Sequence, residues 1–136
     1  MDFKIILNVI LISVYFLFSM TKCECPPPEV TFPFVCDDRW NGKYLNNYNE
    51  MEFNITQLAL NISEYYGNNV SDKHFTQLSF YNTYIKDFEE NCLLDLTFNK
   101  IGISGHNNAV ERIHENAFNS SMNTLELLYI WVCIVI

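Results

Sequence analysis

An α/β fold built by repetition follows from three observations on this chain of 136 residues. The same apolar triplet occurs three times, as Phe75-x-x-Leu78-x-Phe80, Phe98-x-x-Ile101-x-Ile103 and Leu125-x-x-Leu128-x-Ile130. The triplets begin 23 and then 27 residues apart, inside the window expected of leucine-rich repeats. The correspondence continues past the strand: after a two-residue insertion Ile85 and Phe88 align with Val110 and Ile113, and Cys92-Leu93 aligns with Ala117-Phe118 under the same shift of 25. Cys133 falls eight residues after Leu125, where such a repeat places Asn or Cys, and Val135 follows at the next inward position. A unit of this kind cannot bury its apolar face alone, so repetition implies stacking. The predicted fold class is an α/β leucine-rich-repeat solenoid. It has short parallel strands on its concave side, a small disulfide-bonded N-terminal cap, and a C-terminus truncated relative to a longer protein.

Three segments are expected: residues 1–22 as a signal peptide, 23–66 as a cap with one helix, and 67–136 as about two and a half repeats. Lys4 precedes an apolar run over residues 5–18, broken only by Asn8 and Ser13, and a polar Ser19-Met20-Thr21-Lys22 follows. A basic start, a short apolar run and a polar exit make a secretory signal. The run is shorter than the roughly 20 residues of a spanning helix, with a retained N-terminal anchor as the rival reading. Cleavage after Thr21 and cleavage after Cys23 both fit, which leaves Cys23 open.

Removal of residues 1–22 takes out Asp2, Lys4 and Lys22 and leaves 6 Lys/Arg against 15 Asp/Glu, a net charge of −9. Such a surface repels nucleic acid and anionic membranes, so neither is an expected partner, and no membrane span is expected in the mature chain. Four glycosylation sequons begin at Asn54, Asn61, Asn69 and Asn119 and agree with an extracellular, oxidising compartment in which cysteines tend to pair. Three lie between Asn54 and Ser71, so glycans there disfavour that segment as a binding face.

Cys25-Pro26-Pro27-Pro28 opens the mature chain, and a tri-proline is extended and not helical. A Cys25–Cys36 bridge would close a small loop over the start of the core and cap it, with a metal site on Cys23-x-Cys25 as the weaker rival. Residues 37–53 are polar, rich in Asn and without clear periodicity, and predict loop with at most a short strand. Ile55, Leu58, Ile62 and Tyr65 then recur at helical spacing, Asn54 with Gln57 resembles a capping box, and Gly67 supplies a stop. One amphipathic helix over Ile55–Tyr66 is the expectation.

In the repeats, Leu78/Phe80, Ile101/Ile103 and Leu128/Ile130 are the inward residues of short concave strands. Residues 87–93 and 111–118 are expected on the convex side, the latter as a turn or two of helix with Ile113 and Ala117 on one face. Residues 131–136 are almost wholly apolar, which would leave an uncapped edge. Truncation explains this best, and a glycolipid-anchor signal is the rival.

No set of residues predicts chemistry, a cofactor or a metal. Gly102-Ile103-Ser104-Gly105 is one residue short of a nucleophile elbow. His74, His106 and His114 lack metal-ligand spacing, and the four glycines are scattered. Cys92 aligns with the inward Ala117, which predicts a small buried thiol, with a bridge to Cys133 as the alternative. Strand alternation places Ser79, Tyr81, Gly102, Ser104 and Tyr129 on the concave face, and tyrosine is favoured at binding surfaces, so these five are the candidate contact residues. Ordinary exposed side chains are the competing account.

The start Cys25-Pro-Pro-Pro-Glu29 with Pro33-Phe-Val-Cys36, the series Phe75, Leu78, Asn82-Thr83, Ile85, and the series Thr97-Phe98, Ile101, Ile103, Ile113-His114-x-Asn116-Ala117-Phe118 resemble secreted arthropod leucine-rich-repeat proteins. Many of these are named by similarity to the non-catalytic subunit of a shrimp luciferase, and they are distantly similar to Slit- and Toll-type ectodomains. The resemblance spans residues 23–135. It implies a curved, protein-binding solenoid with no chemistry of its own. Two departures stand out: Phe34 occupies the place of a cap cysteine, and Thr83 and His106 occupy the repeat's Asn position, with Asn82 and Asn107 displaced by one.

The functional expectation is a secreted, non-enzymatic module that recognises another protein. The alternatives are a non-catalytic subunit that stabilises a secreted enzyme, and a nonfunctional fragment.

Overall fold

The computed structural model describes residues 24–38, 42–48, 54–105 and 109–131. The predicted signal, residues 1–22, lies outside the described residues, as do Cys23, His106, Asn107 and Cys133.

Near the start of the described residues, Cys25 is tied to Cys36 by a disulfide across a Cα–Cα distance of 5.7 Å. Pro27 is extended, at φ −65° and ψ 155°, but Pro28 opens a helical turn, α1 (Pro28–Thr31). The expectation that the tri-proline excludes helix fails at its last residue. The first helical position needs no N–H, and proline's fixed φ already suits it. A cis Phe32–Pro33 bond follows, and then β1 (Val35–Asp37).

Residues 42–48, expected as loop, contain β2 (Tyr44–Asn47). The strand was obscured because only one of its two core-facing positions is apolar: Leu45 is buried, but so is Asn47. α2 (Ile55–Tyr66) forms over the residues that the helical periodicity picks out. The Asn54 side chain accepts from the Gln57 amide at 3.0 Å, one half of a capping box. Gln57 does not reach back; its side-chain amide donates to Asn61 Oδ1 at 2.9 Å, one turn on. Gly67 ends the helix at φ 57°, a value that favours glycine. The helix buries Ile55, Leu58, Ala59 and Ile62, whereas Tyr65, expected on the same face, is half exposed.

After a 3₁₀ turn at Val70–Lys73 come β3 (His74–Tyr81), β4 (Tyr84–Phe88), β5 (Thr97–Ser104), β6 (Ala109–Ile113), a 3₁₀ turn at Asn119–Ser121 and β7 (Leu127–Ile130). They form a five-stranded sheet in the order β1-β2-β3-β5-β7 and a two-stranded sheet of β4 and β6. β1 runs antiparallel to β2, and every other pairing is parallel. The three apolar triplets lie side by side, with Phe75 opposite Phe98, Leu78 opposite Ile101, and Ile101 opposite Leu128.

The predicted solenoid is nevertheless overturned. The architecture is α/β with a mixed five-stranded sheet and two helices, and its units are unequal. Tyr44 faces Gln77, His74 faces Thr97 and Lys100 faces Leu127, so neighbouring parallel strands are 33, 23 and 27 residues apart. The widest interval holds a 12-residue helix, while the others hold a strand and turns. Two strands are also eight residues long rather than short. Residues 111–118 do not make the expected helical turn. Residues 109–113 pair with β4, setting Ile85 opposite Val110 and Phe88 opposite Ile113. Branched Val110 and Ile113 suit a strand, and the Arg112 guanidinium binds the Asp87 carboxylate across the pair.

A single core joins these elements. Leu45, Phe75, Leu78, Phe80, Phe98, Ile101 and Ile103 from the large sheet meet the apolar face of α2 and Ile85, Phe88, Leu93 and Leu96 from the connections. Phe75 and Phe98 stack at 5.4 Å between centroids. Phe34, Phe80, Phe88 and Phe118 meet edge to face in series at 5.4, 5.6 and 5.2 Å, linking the N-terminal segment to both sheets. Such pairs add roughly 0.5–1.5 kcal/mol each beyond burial, so this series orients the layers while burial supplies most of the stability.

Candidate functional site

The face of the large sheet turned away from the core is set by register. Residues opposite one another on neighbouring strands share a face, so the pairings define rows across the sheet. Asp37, Tyr44, Gln77, Lys100 and Leu127 form one row. Val35, Asn46, Ser79, Gly102 and Tyr129 form the next. Tyr81 and Ser104 are paired in a third, and Tyr48 reaches it with its ring 6.4 Å from that of Tyr81. Trp131 continues the line beyond β7, its amide donating to the Ile103 carbonyl at 2.8 Å.

The spacing within each triplet explains how both faces are kept. Phe75 and Leu78 both point inward although three residues apart, so Thr76 and Gln77 must share one step of the strand. Their amides both aim at the Lys43 carbonyl, at 2.8 and 3.4 Å. That is a bulge, which restores the alternation for Leu78, Ser79, Phe80 and Tyr81.

All five candidate contact residues therefore occur on one face: Ser79, Gly102 and Tyr129 in adjacent register, and Tyr81 with Ser104 one row on. Gly102 is buried, because the Tyr129 ring lies over it and a β-carbon there would overlap the ring. Tyr81 is 42% and Tyr129 36% exposed. The structure adds Tyr48, 65% exposed, and Trp131, 73% exposed, which sequence reasoning did not single out. Tyr44, Asn46 and Tyr48 alternate, a signal that the buried Asn47 masked. Trp131 was lost inside an apolar run.

Charge on this face is sparse, with Asp37 and Lys100 in the same row. The remainder is aromatic, hydroxyl and amide, exemplified by Gln77 donating to Ser79 Oγ at 2.6 Å. Two ion pairs lie off this face. Lys73 Nζ sits 2.6 Å from Asp95 Oδ2. Burial works to raise the Asp95 carboxyl, but hydrogen bonds from Lys73 and Ser63 outweigh it and hold it below the ordinary range. The hydrogen bond from Arg112 holds Asp87 below that range as well.

The possible reactive groups are engaged structurally. Cys92 is a buried free thiol that donates to the Ala117 carbonyl at 3.4 Å, and burial pushes it up to about 12. Its considered partner, Cys133, lies outside the described residues. His74 Nδ1 lies 2.9 Å from Thr97 Oγ1, and His114 Nδ1 accepts from the Asn116 amide at 3.2 Å. Among the described residues no group of three His, Cys, Asp or Glu side chains is placed to hold a metal, and no helix is long and apolar enough to cross a membrane.

The four sequons sit off the large sheet. Asn54 and Asn61 lie at the start and middle of α2, Asn69 before the first 3₁₀ turn, and Asn119 in the second. Asn54, Asn69 and Asn119 are exposed and Asn61 is half-buried.

No protein-family model, curated protein or solved structure matches the chain.

Proposed function

We propose that this chain is a secreted protein-recognition module, without catalysis of its own, that engages its partner through the outer face of the large sheet. The observation that carries this reading is the set of exposed aromatic rings on one face, Tyr129 in one row and Tyr48, Tyr81 and Trp131 along the next, standing among Ser79, Asn46, Gln77 and Ser104. Large rings beside small hydroxyl and amide groups give contact area with few rotatable bonds, which is the composition of binding hot spots. A rigid sheet backed by one core presents them without ordering cost at the moment of binding. The extracellular setting is supported by the Cys25–Cys36 disulfide, a bond that persists in oxidising compartments, and by sequons placed away from this face.

The test places a photo-crosslinking residue at Ser79 on this face, or at Lys86 on the exposed side of β4, and exposes each protein to extracellular fluid from the source organism. One discrete adduct from position 79 that position 86 does not form is the expected result. Adducts formed equally from both positions, or lost in neither Tyr81→Ala nor Trp131→Ala, would reject the sheet face as the binding surface.

A further inference from the structure

The chain carries 16 Asp/Glu against 8 Lys/Arg, yet the outer face of the large sheet is close to neutral. Its three rows hold only Asp37 and Lys100 as charged residues, and these two are of opposite sign. Uncharged polar groups take the place of charge: the amides of Asn46 and Gln77 and the hydroxyls of Ser79 and Ser104. Each of these both donates and accepts hydrogen bonds, which suits a ligand built of hydroxyl groups.

The rings on this face form a shelf. The Tyr129 ring lies across Gly102, in space that any other residue would fill with a β-carbon, so it is laid along the sheet instead of standing out from it. A ring held down in this way cannot enter a pocket on a partner, but its outward side is open to stacking. The C–H groups on one side of a sugar ring are apolar and weakly positive, and they stack on the negative face of an aromatic ring.

The spacing fits the same ligand. Tyr48 and Tyr81 lie 6.4 Å apart between ring centroids, and Trp131 follows just past β7, two strands on from Tyr81. Two strand spacings are about 10 Å, close to the length of a linked pair of sugars. The five strands together span about 19 Å, room for a short glycan branch rather than a long polysaccharide. The four sequons lie off this sheet, so glycans of the chain itself leave the face open.

We infer that this face binds a neutral oligosaccharide branch carried by a glycoprotein. The sugar rings stack on Tyr81, Tyr129 and Trp131, and their hydroxyls bond to Gln77, Ser79 and Ser104. This assignment rests on the outer face being the recognition surface, and names what that surface takes from its partner. A glycan bearing sialic acid or sulfate is disfavoured by the net charge of −8.

The experiment is a chemical-shift titration of the unglycosylated full chain with a released high-mannose oligosaccharide; a sialylated oligosaccharide is the anionic control. Saturable shifts at Tyr81, Tyr129 and the Trp131 indole are expected with the first, and binding about tenfold weaker with the second. Tyr129→Ala should weaken binding about tenfold, and Gly102→Ala, which keeps the ring but lifts it off the sheet, should weaken it as much. If Gly102→Ala does not fold, Tyr81→Ala, at a ring 42% exposed, supplies the second variant. No saturable shift, equal affinity for the sialylated control, or undiminished binding in both Tyr81→Ala and Tyr129→Ala overturns the assignment. In parallel, the extracellular fluid is treated with a glycosidase that releases protein-linked glycans before crosslinking from position 79. Loss of the adduct is expected. An adduct that survives treatment means that the partner is held through its polypeptide, which rejects the glycan but keeps the outer face as the binding surface. No adduct from untreated fluid rejects the outer face, and the glycan with it.

Discussion

The Tyr129 ring lies across Gly102, and the missing β-carbon of Gly102 makes room for it. The two residues face each other across β5 and β7, and the ring shields the backbone of β5 at the middle of the outer face. Gly102→Ala should push the ring off the sheet and destabilise the fold by about 1–3 kcal/mol through overpacking. The same change in a Tyr129→Ala background should be neutral or slightly stabilising, since glycine weakens a strand. Denaturant melts of the four proteins measure the coupling; additive effects would show that the ring does not rest on Gly102.

The Cys25–Cys36 bridge closes a loop of sequence separation 11 and holds the segment before α1 against β1. By loop-closure entropy, replacing both cysteines with serine should cost roughly 2–3 kcal/mol. Chemical denaturation of the oxidised protein and the double variant reads this directly. Equal midpoints would mean that this segment adds nothing to the stability of the rest.

Cys92 is buried, and its thiol is pushed up to about 12 by burial, with the charges of Glu89 and Asp87 adding to the effect. The thiolate is the reactive form, so native Cys92 should resist iodoacetamide at pH 8 and react promptly in denaturant. There is also a linked effect on stability. The folded value lies above the ordinary 9.0, so the unfolded chain gives up its proton first. The contribution is fully present below pH 9 and is lost as pH rises toward about 12. Cys92→Ala, compared with the parent by denaturant melts at pH 8 and pH 10, should lose less stability across that interval.

Asp87 and Asp95 act in the opposite direction. Both carboxyls are held below their ordinary value of 3.8 when folded. Their contribution is present above that value and disappears as pH falls through the depressed folded value. The Asp87–Arg112 pair is largely solvated on its arginine side, and the Asp95 side chain is half exposed, so each effect is small at neutral pH. Thermal melts between about pH 5 and about pH 2 should show a shallower loss for Arg112→Ala and Lys73→Met than for the parent. Parallel curves would mean that these pairs do not tune the carboxyls.

Much of the local structure was legible because it depends on neighbours in the chain. Ile55, Leu58 and Ile62 at helical spacing, Asn54 ahead of them and Gly67 behind specify α2 without reference to anything distant. The triplets around Leu78 and Ile101 specify which side chains enter the core, because alternation is a property of one strand. The expected solenoid failed for a different reason. A repeat of side chains says which strands resemble one another, but not what fills the intervals between them. Those intervals, 33, 23 and 27 residues, hold a helix in one place and a strand with turns in the others.

The outer face divides in the same way. Ser79, Tyr81, Gly102, Ser104 and Tyr129 were found from their own strands. Tyr48 was not, because the core accepts Asn47 beside Leu45 and so erases the pattern that would have marked β2. The sequence by itself determined the helix, the inward residues of β3 and β5 and the candidate face, all through periodicities of a few residues, whereas Leu128 and Ile130, expected inward, are exposed on the edge strand β7. Only the tertiary structure decided the mixed sheet and the neighbours of Tyr129, because long-range contacts form between residues whose local patterns carry no record of one another.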